Sequence, residues 1–339
     1  MTTPHLQVED LRVTFDTRGG SVSAVEGISF SVAAGRTLCL VGESGSGKSA
    51  TALAIMGLLG PNARCRGRIL FEGMDLASLT DAQRRPFRGK RLGMIFQEPT
   101  ASLNPVLTIG QQVREAVQLS RSLSRRSAQL ETQELLRAMR FSEPARVAEQ
   151  YPHELSGGMN QRAMMAIALA GRPSLLIADE PTTALDVTVQ AEILSLLRRI
   201  QAERRLSILL ITHDLGVVAH MADDVAVMYA GQLVESGPAS MILDNPRHPY
   251  THGLWRSMPR IDSPDRPIPM AGGLPMRQGW QTGCRFRPRC PHAFEACERD
   301  PQILMKEVTV GSACWRNVSS IGAESPSASS PMKENPTDH

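Results

Sequence analysis

The sequence predicts an α/β fold built on a mainly parallel sheet, with an antiparallel β subdomain and a helical subdomain set into it. Three observations carry this prediction. Short apolar runs alternate with helix-length segments from residue 36 to residue 229, the pattern of βαβ units. Several runs end on polar clusters (Gly42-Glu43-Ser44, Gln97-Glu98, Asp179-Glu180 and Thr212-His213-Asp214), and ligands of parallel sheets sit at strand carboxyl ends. One cluster extends to Gly42-Glu43-Ser44-Gly45-Ser46-Gly47-Lys48-Ser49, which fits G-x-x-x-x-G-K-[ST], a loop that wraps nucleotide phosphates.

In chain order, residues 6–41 alternate apolar and polar positions, as in Leu11-Arg12-Val13-Thr14-Phe15, and read as antiparallel strands with turns at Arg18-Gly19-Gly20 and Ala34-Gly35. Arg36 to Val41 is a buried strand leading into the phosphate loop, and Ala50 to Met56 opens a helix behind it. The glycines let backbone N–H groups turn toward phosphates, and the helix N-terminus adds its positive dipole. In that motif Lys48 reaches the β- and γ-phosphates and Ser49 ligates Mg²⁺. Further strands are expected at Arg68–Phe71 and Leu92–Phe96, the second ending in Gln97-Glu98-Pro99.

From about Leu107 to Gln150 the pattern turns helical: Ile109, Val113, Val117, Leu130, Leu135, Leu136 and Met139 recur at helical spacings among many Arg and Gln. Leu155 to Arg162 opens an Ala/Met-rich helix running to Ala170, its methionines suited to core filling. Ser174–Ala178 and Leu206–Ile211 read as buried strands, with a helix over Val189–Ile200 between them. Val225–Tyr229 and Gln232–Glu235, joined by Ala230-Gly231, form a closing hairpin.

Beyond Gly237 the composition shifts. Residues 237–283 carry Pro259, Pro264, Pro267, Pro269 and Pro275 and read as a linker or irregular arm. Residues 284–314 hold four of the six cysteines, with the spacing Cys284-x₅-Cys290-x₆-Cys297-x₁₆-Cys314. That spacing lacks the C-x₂-C pairs of zinc fingers. Cys39 falls in a buried strand and Cys65 in a loop, both ordinary cysteines. From Ser319 the chain is Ser- and Pro-rich, and residues 319–339 are expected to be a disordered tail.

Bulk properties narrow the class. A chain of 339 residues suggests more than one unit, and 42% hydrophobic with 21% charged residues is globular. A net charge of +3 does not suggest a nucleic-acid binder. Met1 to Phe15 shows no signal-peptide pattern, and the longest apolar stretch, Ala163–Ala170, falls short of the roughly 18 residues a membrane span needs. A cytosolic chain is expected, where six cysteines argue against a disulfide framework and Asn317-Val318-Ser319 is an accidental glycosylation match.

Leu155-Ser156-Gly157-Gly158 followed by Gln161-Arg162 resembles the signature sequence of ABC ATPases, a branch of the P-loop NTPases. The apolar strand ending Asp179-Glu180 follows it as in that family. Gln97 resembles the family's Q-loop glutamine, Ala184-Leu185-Asp186 its D-loop, His213 its switch histidine, and Phe15 stands about where an aromatic stacks on adenine. Asn160, where relatives usually carry a basic residue, and Ala50 after Ser49 depart from the pattern. The resemblance covers residues 6–236 and implies an ATP site made by Phe15, Gly42, Ser44, Gly45, Ser46, Gly47, Lys48, Ser49, Gln97 and Asp179. It implies Mg²⁺ bound on the side of Ser49, Gln97 and Asp179, with Glu180 as general base for the attacking water and His213 contacting the γ-phosphate and Glu180. Ser156, Gly157, Gly158 and Gln161 would complete the site of a second cassette, and Asp186 would belong to the D-loop.

Gly283-Cys284-Arg285-Phe286-Arg287-Pro288-Arg289-Cys290-Pro291 and His248-Pro249-Tyr250-Thr251 are similar to the C-terminal extension of di- and oligopeptide importer ATPases, as are Glu98–Pro105 and Ala178–Gln190 in the core. In those relatives the cysteines are associated with a [4Fe–4S] cluster; four thiolates suit Fe–S or zinc, and unliganded thiols are the third reading. The resemblance implies residues 1–98 and 166–236 as the nucleotide-binding core, 99–165 as the helical signature subdomain, and 237–318 as the extension. The implied function is ATP hydrolysis powering peptide import at the cytoplasmic face of the membrane. Its partners would be a second, paralogous cassette, two transmembrane permease subunits and, indirectly, an extracytoplasmic solute-binding protein, with no nucleic acid. Import of another solute (nickel, opines or glycosides), a soluble ABC ATPase, a regulatory subunit with a dead site and use in an exporter are the alternatives.

Overall fold

The computed structural model describes residues 4–183, 185–257, 267–273, 282–301 and 311–320. The expected tail beyond residue 320, Ala184 of the D-loop motif, and Pro259, Pro264 and Pro275 lie outside the described residues.

The chain opens with β1 (Leu6–Thr17), β2 (Gly20–Val32), β3 (Thr37–Val41), α1 (Lys48–Met56), β4 (Ala63–Phe71) and β5 (Met74–Asp75). A short α2 (Asp81–Arg84) and β6 (Leu92–Ile95) lead to the helices α3 (Pro99–Ser102), α4 (Ile109–Arg121), α5 (Arg125–Ala138), α6 (Pro144–Glu149) and α7 (Gly157–Leu169). The chain then runs through β7 (Leu175–Asp179), α8 (Val187–Arg204), β8 (Ser207–Thr212), α9 (Leu215–Met221), β9 (Asp224–Tyr229) and β10 (Gln232–Pro238). Two helices, α10 (Ala239–Asp244) and α11 (Pro249–Ser257), precede a two-residue strand, β11 (Gly311–Ser312).

Two sheets result. The antiparallel sheet has the order β2-β1-β4-β5, and the larger sheet has the order β11-β10-β9-β3-β8-β7-β6. From β9 to β6 the larger sheet is parallel, with Val41 level with Thr212 and Asp179 level with Ile211. This register brings the ends of β3, β7 and β8 to one edge. The strands alternate their side chains between two cores: Cys39, Leu176, Ala178, Ile208 and Leu210 face α7, α8 and the helical segment. Leu38, Leu40, Ile177, Leu209 and Ile211 face α1 and the antiparallel sheet. Each fully buried Leu or Ile contributes about 1.5–3 kcal/mol, so burial on both faces fixes the strand ends firmly.

The helical segment follows the expected pattern. Ile109, Val113 and Val117 are fully buried on α4, which starts at a Thr108–Gln111 capping box. Leu130 departs from its expected place and is 61% exposed on α5. α7 runs unbroken through the expected boundary at residue 165.

Two expectations are corrected. Cys65 lies on β4, not in a loop, because β4 extends the ladder with β1 as far as Phe15–Ala63. Residues 239–244 and 249–257 are helical rather than a linker: Pro238 stands directly before α10 and Pro249 at the first position of α11, where a proline's fixed φ suits a helix start. Tyr250 and Trp255 bury α11 against the core. β11 then returns to pair with β10, so the C-terminal part is tied into the larger sheet.

Candidate active site

The phosphate loop leaves the end of β3 and enters α1 at Lys48. Gly47 has φ +110°, a region open to glycine, and an added Cβ there would lie 2.4 Å from the Ala24 carbonyl oxygen. At Gly42 a Cβ would lie 2.2 Å from the Met228 carbonyl oxygen. The loop is therefore seated against β2 and β9, with no room for side chains at these two points. Lys48 Nζ donates to the carbonyls of Gly42 (2.7 Å) and Glu43 (2.9 Å). Burial lowers its pKa, opposed by Glu180, Asp179 and Glu43.

Asp179 ends β7 and is 5% exposed. Burial pushes its carboxyl up, the Glu180 charge adds to this, and a hydrogen bond from Ser49 and the charge of Lys48 work against it. Its Oδ1 and the Ser46 hydroxyl are both buried and have no hydrogen-bond partner among the described residues. Two unsatisfied oxygen ligands or acceptors beside a lysine are what a phosphate–metal pair would satisfy, so the residues present fit Mg²⁺.

Glu180, the next residue, is where the strand ends converge. His213 Nδ1 stands 3.2 Å from its Oε1, while Gln97 Nε2 (3.2 Å) and Thr183 Oγ1 (2.9 Å) donate to its Oε2. Glu180 has φ +46°, a left-handed conformation costly for a non-glycine residue, about 1–3 kcal/mol. A hydrogen bond from its own N–H to the Ile211 carbonyl (2.9 Å) helps hold it there. The structure thus gathers Lys48, Ser49, Asp179, Glu180, Gln97 and His213 at one sheet edge, with Gln97 bonded to Glu180. Thr183 escaped sequence reasoning; its only signal is a hydroxyl three residues beyond Glu180.

Other expected residues stand apart. Phe15 on β1 is half-buried, packed on the core below the antiparallel sheet and paired with Val22 and Ala63. Ser156 caps α7 by accepting the Met159 N–H (3.3 Å), and Ser156 and Gly157 are exposed. Gln161 is buried at 2% exposure, so it stands behind that surface, not on it. Asn160, the departure noted above, is also buried and donates to the Pro152 carbonyl (3.0 Å). Asp186 caps α8 through the Val189 N–H (2.9 Å).

Cys284, Cys290, Cys297 and Cys314 line one small cavity together with His248 and His292. All four are free thiols, and burial raises the pKa of Cys284, Cys290 and Cys314. Among the described residues, no three His, Cys, Asp or Glu side chains form a metal-holding group. The donor chemistry suits a thiolate-bound metal; the grouping falls short of one.

These features together define an ATP-binding cassette, and comparison with known proteins agrees. Residues 25–183 match the family described as ABC transporter, and residues 234–297 match the family described as oligopeptide/dipeptide transporter, C-terminal region. The chain is 45% identical to the oligopeptide transport ATP-binding protein OppD of Salmonella typhimurium over 317 residues, covering 93% of this chain and 95% of that one. It is 48% identical to the dipeptide transport ATP-binding protein DppD of Bacillus subtilis over 297 residues, covering 87% and 89%. Among solved structures, the dimeric ATP-binding cassette MJ0796 bound to ADP and Pi aligns with TM-score 0.63 and 25% identity, over 69% of this chain and 98% of that one. The chain therefore belongs to the ABC transporter ATPases, in the group that carries the oligopeptide/dipeptide transporter C-terminal region.

Proposed function

We propose that this chain is the ATP-hydrolysing subunit of an ABC importer for di- and oligopeptides. The observation that carries the reading is Glu180, held by Gln97, Thr183 and His213 at the sheet edge that also presents the phosphate loop. Glu180 would take the proton of the attacking water, while Gln97 and His213 fix its two oxygens. Lys48 would neutralise phosphate charge, and the loop N–H groups would orient the triphosphate. Ser49 and Asp179, with Gln97 near, would hold Mg²⁺, which would supply neutralisation of phosphate charge. The exposed Ser156 and Gly157 support a second cassette as partner, its phosphates facing this surface. Phe15 would stack on adenine and Asp186 would lie between the cassettes.

Peptide import rests on the relatives, which are named as oligopeptide and dipeptide transport ATP-binding proteins. The reading includes a paralogous second cassette, two permease subunits, an external binding protein and a place on the cytoplasmic face of the membrane. No helix among the described residues is long and apolar enough to cross a membrane, so the spans would come from the permeases. The division into a nucleotide-binding core (1–98 and 166–236), a helical subdomain (99–165) and an extension (237–318) belongs to the same proposal. So does a [4Fe–4S] cluster on Cys284, Cys290, Cys297 and Cys314, four thiols that line one cavity although their grouping in this structure falls short of a metal-holding one. The test is reconstitution with the permeases and binding protein in vesicles. ATP hydrolysis stimulated by peptide and accompanied by its uptake is expected; hydrolysis indifferent to peptides but stimulated by another solute would overturn the substrate.

A further inference from the structure

Glu43 is the second residue of the phosphate loop, and three groups grip it from three sides. Lys48 Nζ takes its carbonyl, 2.9 Å away. Its N–H donates to Tyr250 Oη on α11 (3.0 Å). Its carboxylate meets Arg289 Nη1 at 3.1 Å. Two of these partners come from beyond the ATPase core, 207 and 246 residues downstream.

Arg289 is built into its place. Its side chain is 7% exposed, against 25% for Glu43. Its Nε donates to the Ala271 carbonyl (2.9 Å), its Nη1 also reaches Tyr229 Oη (3.4 Å), and its guanidinium lies 5.7 Å from the centre of the Tyr229 ring. Tyr229 in turn packs on Tyr250 (ring centres 4.6 Å apart), and Phe286 stands edge-on to both. A guanidinium so enclosed has lost most of its water, and among the described residues the Glu43 carboxylate is the one acid it meets, so the pair is weakly screened.

We propose that Arg289 is a positioning residue for ATP: it neutralises Glu43 and holds the first turn of the phosphate loop in its binding geometry. Without it, the Glu43 carboxylate stands unpaired in the loop that receives a polyanion, and repels it. The carbonyls that hold Lys48 lose an anchor at the same time. The C-terminal extension thereby takes part in nucleotide affinity whatever its cysteines bind. This inference rests on the reading of residues 42–49 as the ATP site.

The experiment measures affinity for a fluorescent ATP analogue and steady-state ATPase kinetics in the full chain. Arg289→Gln is expected to weaken binding and raise KM about tenfold, with kcat within about twofold. Arg289→Lys, which keeps the charge, should stay within about threefold of the wild type. Adding Glu43→Gln to Arg289→Gln should restore most of the lost affinity, a rescue that a merely structural role would not give. Unchanged affinity in Arg289→Gln, or a loss that Glu43→Gln fails to reverse, overturns the proposal. If Arg289→Gln does not fold, the double variant carries the test: near-wild-type affinity supports the proposal and a tenfold loss overturns it. Lys48→Ala separates the two levels, because wild-type binding in that variant would sink the ATP-site reading itself.

Discussion

His213 Nδ1 lies 3.2 Å from Glu180 Oε1, joining the end of β8 to the end of β7. Glu180 is the more enclosed of the two, 13% against 57% exposed. A carboxylate held this way suits proton abstraction, with the imidazole as its orienting partner.

Glu180→Gln should therefore bind ATP as the wild type does and lose turnover by roughly 10²–10⁴-fold. His213→Ala should lose less, since Gln97 and Thr183 still hold the other oxygen. Single-turnover hydrolysis beside nucleotide binding checks both. Near-normal turnover in Glu180→Gln would remove it as the base.

The two signature glycines make a matched pair. An added Cβ at Gly158 would lie 2.6 Å from Val189 Cγ1 on α8, whereas at Gly157 it meets only Leu185 Cδ2, at 3.8 Å. Gly158→Ala should lower the melting temperature, because Val189 is β-branched and stiff. Gly157→Ala should fold normally and still slow ATP hydrolysis in the assembled transporter. Thermal melts and reconstituted ATPase assays decide; full activity of Gly157→Ala in the assembly would argue against this surface facing a second nucleotide.

Purification without oxygen, followed by metal analysis and visible spectroscopy, tests the cysteine cavity. A cluster requires about four iron and four sulfide per chain, and a broad brown absorbance lost in Cys290→Ser. Zinc would answer to a colourless protein with the same cysteine dependence. No bound metal would leave the cysteines as packing residues and the ATPase untouched.

His248 predicts the acid limb of stability. It is 1% exposed, its Nδ1 accepts the Tyr250 N–H (3.0 Å), and burial pushes its imidazole down to about 4 from 6.5. Between those values the unfolded chain binds a proton that the folded chain does not. The stability is thus fully present above about 6.5 and is lost as pH falls toward 4, by about 2 kcal/mol at pH 5. Glu235, which accepts the His248 N–H and is itself pushed up by burial, acts in the opposite sense. Comparison with His248→Gln isolates the imidazole: the variant's melting temperature should fall less between pH 7.5 and 5. Parallel curves would refute the assignment.

The sheet edge that gathers Lys48, Asp179, Glu180 and His213 was legible in the sequence because its signals are local. A glycine-rich octet after an apolar strand, or Asp179-Glu180 after another, needs no tertiary knowledge. Gln97 and His213 could be placed by resemblance, and β3, β7 and β8 by their unbroken apolar runs. The positive φ of Glu180 and the hydroxyl of Thr183 beneath it have no sequence marker. Prolines misled the reading of residues 239–257, because a proline that starts a helix looks the same as one that breaks a chain. Arg289 was hidden by distance along the chain: nothing local pairs it with a glutamate 246 residues upstream.

The two-residue strand β11 has a consequence of a different kind. It pairs with Glu235 and Ser236, and Ala313 N–H follows it by donating to the Val234 carbonyl. Without it, β10 would end the sheet with bare N–H and C=O groups, a template for adding strands from other molecules. A short strand that leaves the sheet at once covers that row while offering little ladder of its own. Pairing with Gly311 and Ser312 thus leaves Glu235 and Ser236 less open to edge-to-edge association, a contribution separate from the contact with the phosphate loop.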